Sequence, residues 1–426
     1  MNRHLYSLLF HLCLPLIGLR LAWRAWRAPA YTKRVGERFA LLPPLRPGGI
    51  WVHAVSVGES IAAAPLVREL LARYPDLPIT LTCMTPTGSE RIRALFPASQ
   101  FAGRVQHCYL PYDLPWAAAR FLKQAQPKLA VIMETELWPN YIHQCALRGI
   151  PVALANGRLS ARSAKGYGRF AKLTAPMLAE LDLLAVQSQV EAERFIDLGA
   201  RPAAVEVTGS IKFDQQVDAE VSARASALRG QWQAQQRPVW IAASTREGED
   251  ALVIQAHRQL LASHPDALLI LVPRHLERFD TAAAQLREAG LTFVRRSSGE
   301  AVGPQVQVLL GDSMGELMFL YALADIAFVG GSLVETGGHN PLEPIALGLP
   351  VIMGPHRFNF LEITAQLLEH GALCEVADAQ ALAEQVALLL SEPARAAAMR
   401  ETGLAVLKAN QGALKRLLDG LGRLDA

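Results

Sequence analysis

Cysteine is scarce and scattered in this chain. Its five cysteines, Cys13, Cys83, Cys108, Cys145 and Cys374, are odd in number, far apart and include no C-x-x-C pair. That excludes a disulfide framework and fits thiols that stay reduced in core or membrane surroundings. No cluster of His, Cys and acidic residues has zinc-ligand spacing, and no Asp-x-Asp pair is available to hold a divalent ion against a diphosphate. The dinucleotide fingerprint G-x-G-x-x-G after a first strand is absent too. The expectation is therefore no metal and no cofactor. Net charge is also low: 42 Lys and Arg against 39 Asp and Glu, a formal +3. Nothing in that balance supports a phosphate-tracking surface, so nucleic acid is not an expected partner.

What the 426 residues do hold is apolar mass, 51% hydrophobic, enough for two cores in two or three domains. The small net charge is unevenly placed. Up to Arg38 the chain has seven basic residues, Arg3, Arg20, Arg24, Arg27, Lys33, Arg34 and Arg38, against the single acid Glu37. The remainder is mildly acidic, and such an asymmetry points to an anionic partner at the front end. There, Leu5–Leu19 is an apolar stretch broken by Ser7, His11, Pro15 and Gly18 and closed by Arg20. By length it fits a core helix of the first domain as well as a membrane segment. The flank decides for the membrane: Trp23, Trp26 and Tyr31 alternate with Arg20, Arg24, Arg27, Lys33 and Arg34, as interfacial aromatics and a positive-inside cluster do. Residues 1–27 are expected to form a membrane anchor or monotopic helix, with a cytoplasmic enzyme behind it. The small-residue site Ala28-Pro29-Ala30 lies beyond the arginines, which does not suit a cleaved signal peptide.

Short apolar runs then alternate with helical stretches, the pattern of parallel βαβ units. The first series of expected strands is 49–54, 79–83, 106–110, 129–133, 152–155 and 183–186. The second is 238–242, 267–272, 292–294, 306–310, 326–329 and 350–353, with helices at 249–263 and 380–390 among them. The polar stretch from Asp214 to Gln236 marks the junction. The expected architecture is α/β: a Rossmann-like domain over 28–214, a second over 215–405, and a C-terminal helix over 406–426 that packs back on the first domain. Two doubly wound sheets face a cleft in this reading, with ligands at the carboxyl ends of the strands.

Loops at those ends carry the candidate chemistry. Ser56-Val57-Gly58-Glu59 opens a helix, and Glu59 falls in its first turn. The helix dipole there would keep its carboxylate ionised at neutral pH, as a general base requires, although acids also favour first turns for stability alone. Glu134 and Glu136 follow an apolar strand in Met133-Glu134-Thr135-Glu136-Leu137-Trp138-Pro139-Asn140, either as a site or as a solvated cap. Lys212 lies in Thr208-Gly209-Ser210-Ile211-Lys212-Phe213-Asp214, where a point cation can meet developing negative charge. In the second half three strand-to-helix junctions recur: Pro273-Arg274-His275, Gly311-Asp312-Ser313-Met314-Gly315-Glu316 and Gly337-Gly338-His339-Asn340-Pro341-Leu342-Glu343. In the last, Asn340 as N-cap, Pro341 at the first helical position and Glu343 two further on make a near-complete helix start. Glu343 either closes that capping box or accepts ribose hydroxyls in a nucleotide site.

Taken together with Thr85-Pro86-Thr87-Gly88 and Ala155-Asn156-Gly157-Arg158-Leu159-Ser160, these motifs, in this order and over essentially the whole chain, resemble the 3-deoxy-D-manno-octulosonic acid (Kdo) transferases of lipopolysaccharide synthesis, glycosyltransferase family 30. The resemblance implies a GT-B fold, CMP-Kdo as donor and the lipid A precursor lipid IVA as acceptor, at the cytoplasmic face of the inner membrane. It makes Glu59 the proton acceptor and Glu134 and Lys212 transition-state stabilisers of an inverting transfer. It places CMP on Pro273, Arg274, Met314, Gly315, Glu316, Asn340, Pro341, Leu342 and Glu343. Acceptor phosphates and membrane lipids would meet Arg24, Arg27, Lys33, Arg34, Arg38, Arg158, Arg162 and Lys165. A UDP-sugar transferase of the same architecture, or a non-catalytic nucleotide-dependent membrane scaffold, are the rival readings.

Overall fold

The computed structural model describes residues 1–101, 103–215, 217–232 and 237–424. It separates into two compact units, Met1–Asp214 with Gln411–Ala426, and Gln215–Asn410. Within the polar stretch from Asp214 to Gln236, a helix occupies Ala219–Gln231; residues 216 and 233–236 of that stretch, and 425–426 of the expected terminal helix, lie outside the described residues.

The first unit is built on strands β1 (Ile50–His53), β2 (Ile79–Cys83), β3 (Val105–Tyr109), β4 (Leu129–Met133), β5 (Val152–Gly157), β6 (Leu183–Val186) and β7 (Val205–Val207), in the order β3-β2-β1-β4-β5-β6-β7. The second uses β8 (Val239–Thr245), β9 (Leu268–Pro273), β10 (Phe293–Arg295), β11 (Val308–Leu310), β12 (Ile326–Val329), β13 (Val351–Met353) and β14 (Leu373–Glu375), ordered β10-β11-β9-β8-β12-β13-β14. Neighbouring strands are parallel throughout. Both faces of each sheet are covered by separate apolar clusters, which is why the central strands read as continuous apolar runs rather than alternations. Each fully buried Leu, Ile or Val in them contributes about 1.5–3 kcal/mol relative to exposure. Two strands, β7 and β14, had no such signal: each is three residues long, sits at a sheet edge and is only partly buried.

Strand order positions the functional loops. In each sheet it reverses direction beside one strand, between β1 and β4 and between β8 and β12, and the crevice at such a switch point is where doubly wound sheets bind ligands. In the first unit, helix α1 (Arg3–Arg27) precedes the sheet and helix α2 (Val57–Arg73) follows β1. Ser56 caps α2 by accepting the Glu59 amide, so the turn after β1 fixes where Glu59 stands.

The last helix, Ala413–Gly422, buries Ala413, Leu417 and Leu421 in the same apolar cluster as β1 and α2. Asp214 holds its start: its carboxylate accepts the Gly412 and Leu414 amides at 2.6 and 2.5 Å. Such charge-assisted bonds at a helix start lower the free energy of the folded unit. Asp214→Ala should destabilise the protein by about 1.5–3 kcal/mol per bond lost to the charged group at most, read in denaturant melts; an unchanged midpoint would show that apolar packing alone seats the helix.

Candidate active site

Glu59 stands at the end of β1, half-buried, with its carboxylate bonded by the Val55 amide at 2.8 Å and the Ser56 hydroxyl at 3.0 Å. The same side chain thus ties down the start of α2 and stands beside the switch point. Its acidity differs from the expectation drawn from the helix dipole. Burial pushes its pKa up to about 7, and the charges of Glu134 and Glu136 add to the rise, against the lowering by the Val55 amide and Ser56. Desolvation of a carboxylate outweighs the dipole here. Glu136, beyond β4, is raised for the same first reason and by Glu134.

Glu134 follows β4, on the other side of the switch point, with left-handed backbone at φ +55°. Such a conformation is costly for a residue with a Cβ and persists where surrounding bonds impose it; the Glu134 amide donates to the Ala155 carbonyl at 2.9 Å. Its carboxylate lies 3.6 Å from Lys212 Nζ. Lys212 sits in the short turn Ile211–Phe213 after β7, and that turn is tied to β5. Asn156, fully buried and also left-handed at φ +55°, accepts the Ile211 amide through Oδ1 at 3.2 Å. The fold thus brings together Glu59, Glu134, Glu136 and Lys212 from three segments of one unit, those that follow β1, β4 and β7.

In the second unit, Pro273 ends β9 and the Arg274 amide donates to the Thr245 carbonyl at 3.0 Å. Met314 is exposed, Gly315 is left-handed at φ +86° with open space where a Cβ would stand, and Glu316 pairs with Arg296 at 3.0 Å and with the Ser313 hydroxyl at 2.6 Å. The helix after the glycine-rich loop is short, Leu342–Ala346, and begins one residue later than its sequence suggested, with Pro341 just before it. Asn340 Oδ1 nevertheless accepts the Leu342 amide at 3.1 Å, and its side-chain amide donates to Glu343 at 3.2 Å. Burial raises the Glu343 pKa, countered by Asn340 and Arg274. Ahead of this helix, a Cβ at Gly330 would meet the Ala243 and Ser244 carbonyls at 2.9 Å, so only glycine lets the ends of β8 and β12 approach so closely.

The basic candidates divide into two groups. Arg34 is committed internally: it holds Glu37 through Nε and Nη2 at 2.6 and 2.7 Å, the Ser89 hydroxyl and the His107 carbonyl. Arg38 is buried over the Tyr109 ring at 4.4 Å, with Nε and Nη2 unbonded among the described residues. Arg24, Arg27 and Lys33 are exposed around the end of α1, where Arg27 stacks on Trp23 at 4.3 Å and Arg24 lies 5.6 Å from the Tyr31 ring. Arg158 follows β5, half-buried, and its carbonyl accepts the Thr135 hydroxyl; Arg162 and Lys165 are exposed on the helix Ala161–Gly168.

Comparison with known proteins shows the family. Residues 33–215 match the family model described as 3-Deoxy-D-manno-octulosonic-acid transferase (kdotransferase), and residues 244–405 match glycosyl transferases group 1. A 3-deoxy-D-manno-octulosonic acid transferase of Haemophilus influenzae is 48% identical over 425 residues, covering 98% of each chain. The chain belongs to the Kdo transferase family. A second member, from Bordetella pertussis, is 43% identical over 436 residues and 99% of each chain. Among solved structures, a UDP-GlcNAc 2-epimerase from Neisseria meningitidis bound to UDP-GlcNAc superposes with a TM-score of 0.58 at 15% identity, over 88% of this chain and 100% of that one. That likeness concerns the fold alone, two Rossmann-like units of the GT-B class.

As a Kdo transferase the protein is a glycosyltransferase, and the non-catalytic reading falls away. Some residues of its strand ends had no role in the sequence reading. Arg246, His275 and His339 meet at the ends of β8, β9 and β12: Arg246 Nε donates to His339 Nε2 at 3.1 Å, and Nη1 to His275 Nε2 at 2.6 Å. The available signal was the polar run Thr245-Arg246-Glu247-Gly248-Glu249 directly after the apolar run of β8. Asn156 stood in a recognised motif but without a function, because its bond to the Lys212 turn spans 55 residues of sequence.

Proposed function

We propose that this Kdo transferase takes its sugar from CMP-Kdo and adds it, in one or two successive inverting transfers, to lipid IVA at the cytoplasmic face of the inner membrane in lipopolysaccharide synthesis. The observation that carries the mechanism is Glu59, a carboxyl at the switch point whose pKa is raised to about 7, where a general base works best at neutral pH. One Glu59 oxygen takes the proton of the attacking acceptor hydroxyl as that oxygen bonds to the anomeric carbon. The bond from that carbon to the phosphate oxygen breaks, and CMP leaves with the electron pair. A single displacement of this kind inverts the centre and passes through an oxocarbenium-like state. Lys212 offsets the charge gathering on the leaving phosphate. Glu134 holds Lys212 in place at 3.6 Å, and its negative charge favours the positive sugar. Pro273, Arg274, Met314, Gly315, Glu316 and the segment Asn340–Glu343 form the CMP site in this reading. A donor with one phosphate fits a chain in which no Asp-x-Asp pair stands ready for a metal.

The acceptor is an anionic lipid, and α1 supports a membrane surface for it. One side of α1 is docked on its own unit: the Ser7 hydroxyl donates to Asn140 at 3.0 Å, and Phe10 and Leu14 pack against Ala40, Leu114 and Ala117. The opposite side exposes Leu8, Leu12, Leu16 and Leu19, the last with 68% of its surface free. Contacts at both ends, Ser7 to Asn140 and Arg24 to Tyr31, favour a helix lying in the interface over one that leaves the body to span the bilayer. Arg24, Arg27 and Lys33 then reach lipid and acceptor phosphates.

In a transfer assay with CMP-Kdo and lipid IVA, Glu59→Gln should lower kcat by about 10²- to 10⁴-fold while leaving CMP affinity intact. The wild-type rate should rise with pH through about 7 as Glu59 loses its proton. Near-normal transfer by the variant would remove Glu59 from the base role. For the helix, replacing Leu8, Leu12 and Leu16 together by Glu should move the protein from the membrane to the soluble fraction with CMP binding preserved. Retention on membranes would assign the contact to another surface.

A further inference from the structure

Arg246 stands at the switch point of the second sheet, as Glu59 does in the first. The end of β8 is bent to put it there: Ser244 is left-handed at φ +59°, and pairing with β9 slips between Ala243 and Thr245. A bulge at a strand end re-aims the side chain that follows. The guanidinium is then fixed between the two imidazoles at 3.1 and 2.6 Å. Each imidazole accepts through Nε2 and is therefore neutral, in keeping with burial and nearby arginines, which lower the pKa of His275 and bring that of His339 to about 3. These bonds lock the plane of the guanidinium while leaving its outer edge, Nη2 and the second hydrogen of Nη1, without a protein acceptor among the described residues.

Arginines predominate around this edge, with Glu249 acting on Arg246 in the opposite sense. Arg274 is close enough to act on Arg246 and on both imidazoles. Arg278 also faces His275 but is neutralised by Asp250 at 2.5 Å. Two of the nearby acids are engaged elsewhere. Glu249 is fully buried, and its oxygens accept the amides of Arg246, Gly331, Ser332 and Leu333 at 2.5–3.0 Å. Glu343 is bonded to Asn340, and Glu277 is exposed beside His275. Glu343 acts on Arg274, whereas the free edge of Arg246 carries no carboxylate bond among the described residues, and an anion before that edge would offset the repulsion between the two guanidinium groups.

We propose that Arg246 is a donor-binding residue: its free guanidinium edge takes an oxygen pair of an anionic group on the sugar nucleotide, and His275 and His339 hold its plane. This rests on the CMP-Kdo reading above, which offers two such groups of the same chemistry, the phosphate and the carboxylate of the ulosonic acid.

The test is the full-length protein with Arg246→Gln and Arg246→Lys. Loss of a charge-assisted bond pair should raise the KM for CMP-Kdo about 10-fold or more in the Gln variant. The Lys variant should fall between, because a point cation restores attraction without the fork geometry. Calorimetry with CMP separates the two anions. A parallel loss of CMP affinity assigns the phosphate, and unchanged CMP affinity beside a raised KM assigns the carboxylate. Unchanged KM and CMP affinity in the Gln variant would overturn the proposal. If that variant does not fold, an unchanged donor KM in the Lys variant overturns it instead. Wild-type protein that prefers UDP to CMP would sink the donor reading alone; the Gln variant titrated with UDP then supports the anion role if affinity falls and overturns it if affinity holds.

Discussion

The chemistry proposed for this transferase depends on a carboxylate that the fold keeps partly out of water. Glu59 cannot be solvated freely at the end of β1, and two further carboxylates act on it from the loop after β4. Desolvation and like charge both favour its protonated form, so its proton is exchanged near neutral pH rather than near that of an ordinary glutamate. Much of the surrounding structure serves that balance. The Ser56 cap fixes the position of Glu59, the left-handed turn at Glu134 sets the neighbouring acid, and Lys212 pairs with that acid. Asn156 holds the Lys212 turn from a strand two places across the sheet from β7. Left-handed backbone at Glu134 and Asn156 is the cost of aiming these groups from strand ends.

The second unit solves a different electrostatic problem with the same topology. At its switch point the fold gathers arginines and neutral imidazoles where the first unit gathers acids. Burial lowers the histidines, so they act as acceptors that orient a cation instead of adding charge. In the proposed reaction one switch point takes up a proton and the other an anion, the two demands of moving an acidic sugar from a phosphate to a hydroxyl.

Much of this was legible in the sequence because central parallel strands are continuous apolar runs and the candidate loops lie after their ends. Ser56–Glu59, Glu134–Asn140 and Gly337–Glu343 stood out for that reason. What escaped had physical causes. The edge strands β7 and β14 are too short and too exposed to show a run. Arg246 looked like one more polar loop residue, since its meaning comes from His275 and His339, which lie 29 and 93 residues away. The acidity of Glu59 was read in the wrong direction because a helix start is visible in sequence and the burial of its carboxylate is not. The basic front end proved mixed: Arg34 and Arg38 belong to the interior of the first unit, while Arg24, Arg27 and Lys33 remain at its surface.

The central claim is that burial and neighbouring carboxylates, not the helix dipole, set the protonation of Glu59. The most direct measurement is the titration of its carboxyl carbon by NMR, with selectively labelled glutamate and the Glu59→Gln variant for assignment. The account predicts a midpoint near 7 that falls when Glu134 is changed to Gln. A midpoint at the ordinary value of 4.5, unmoved by Glu134→Gln, would contradict it.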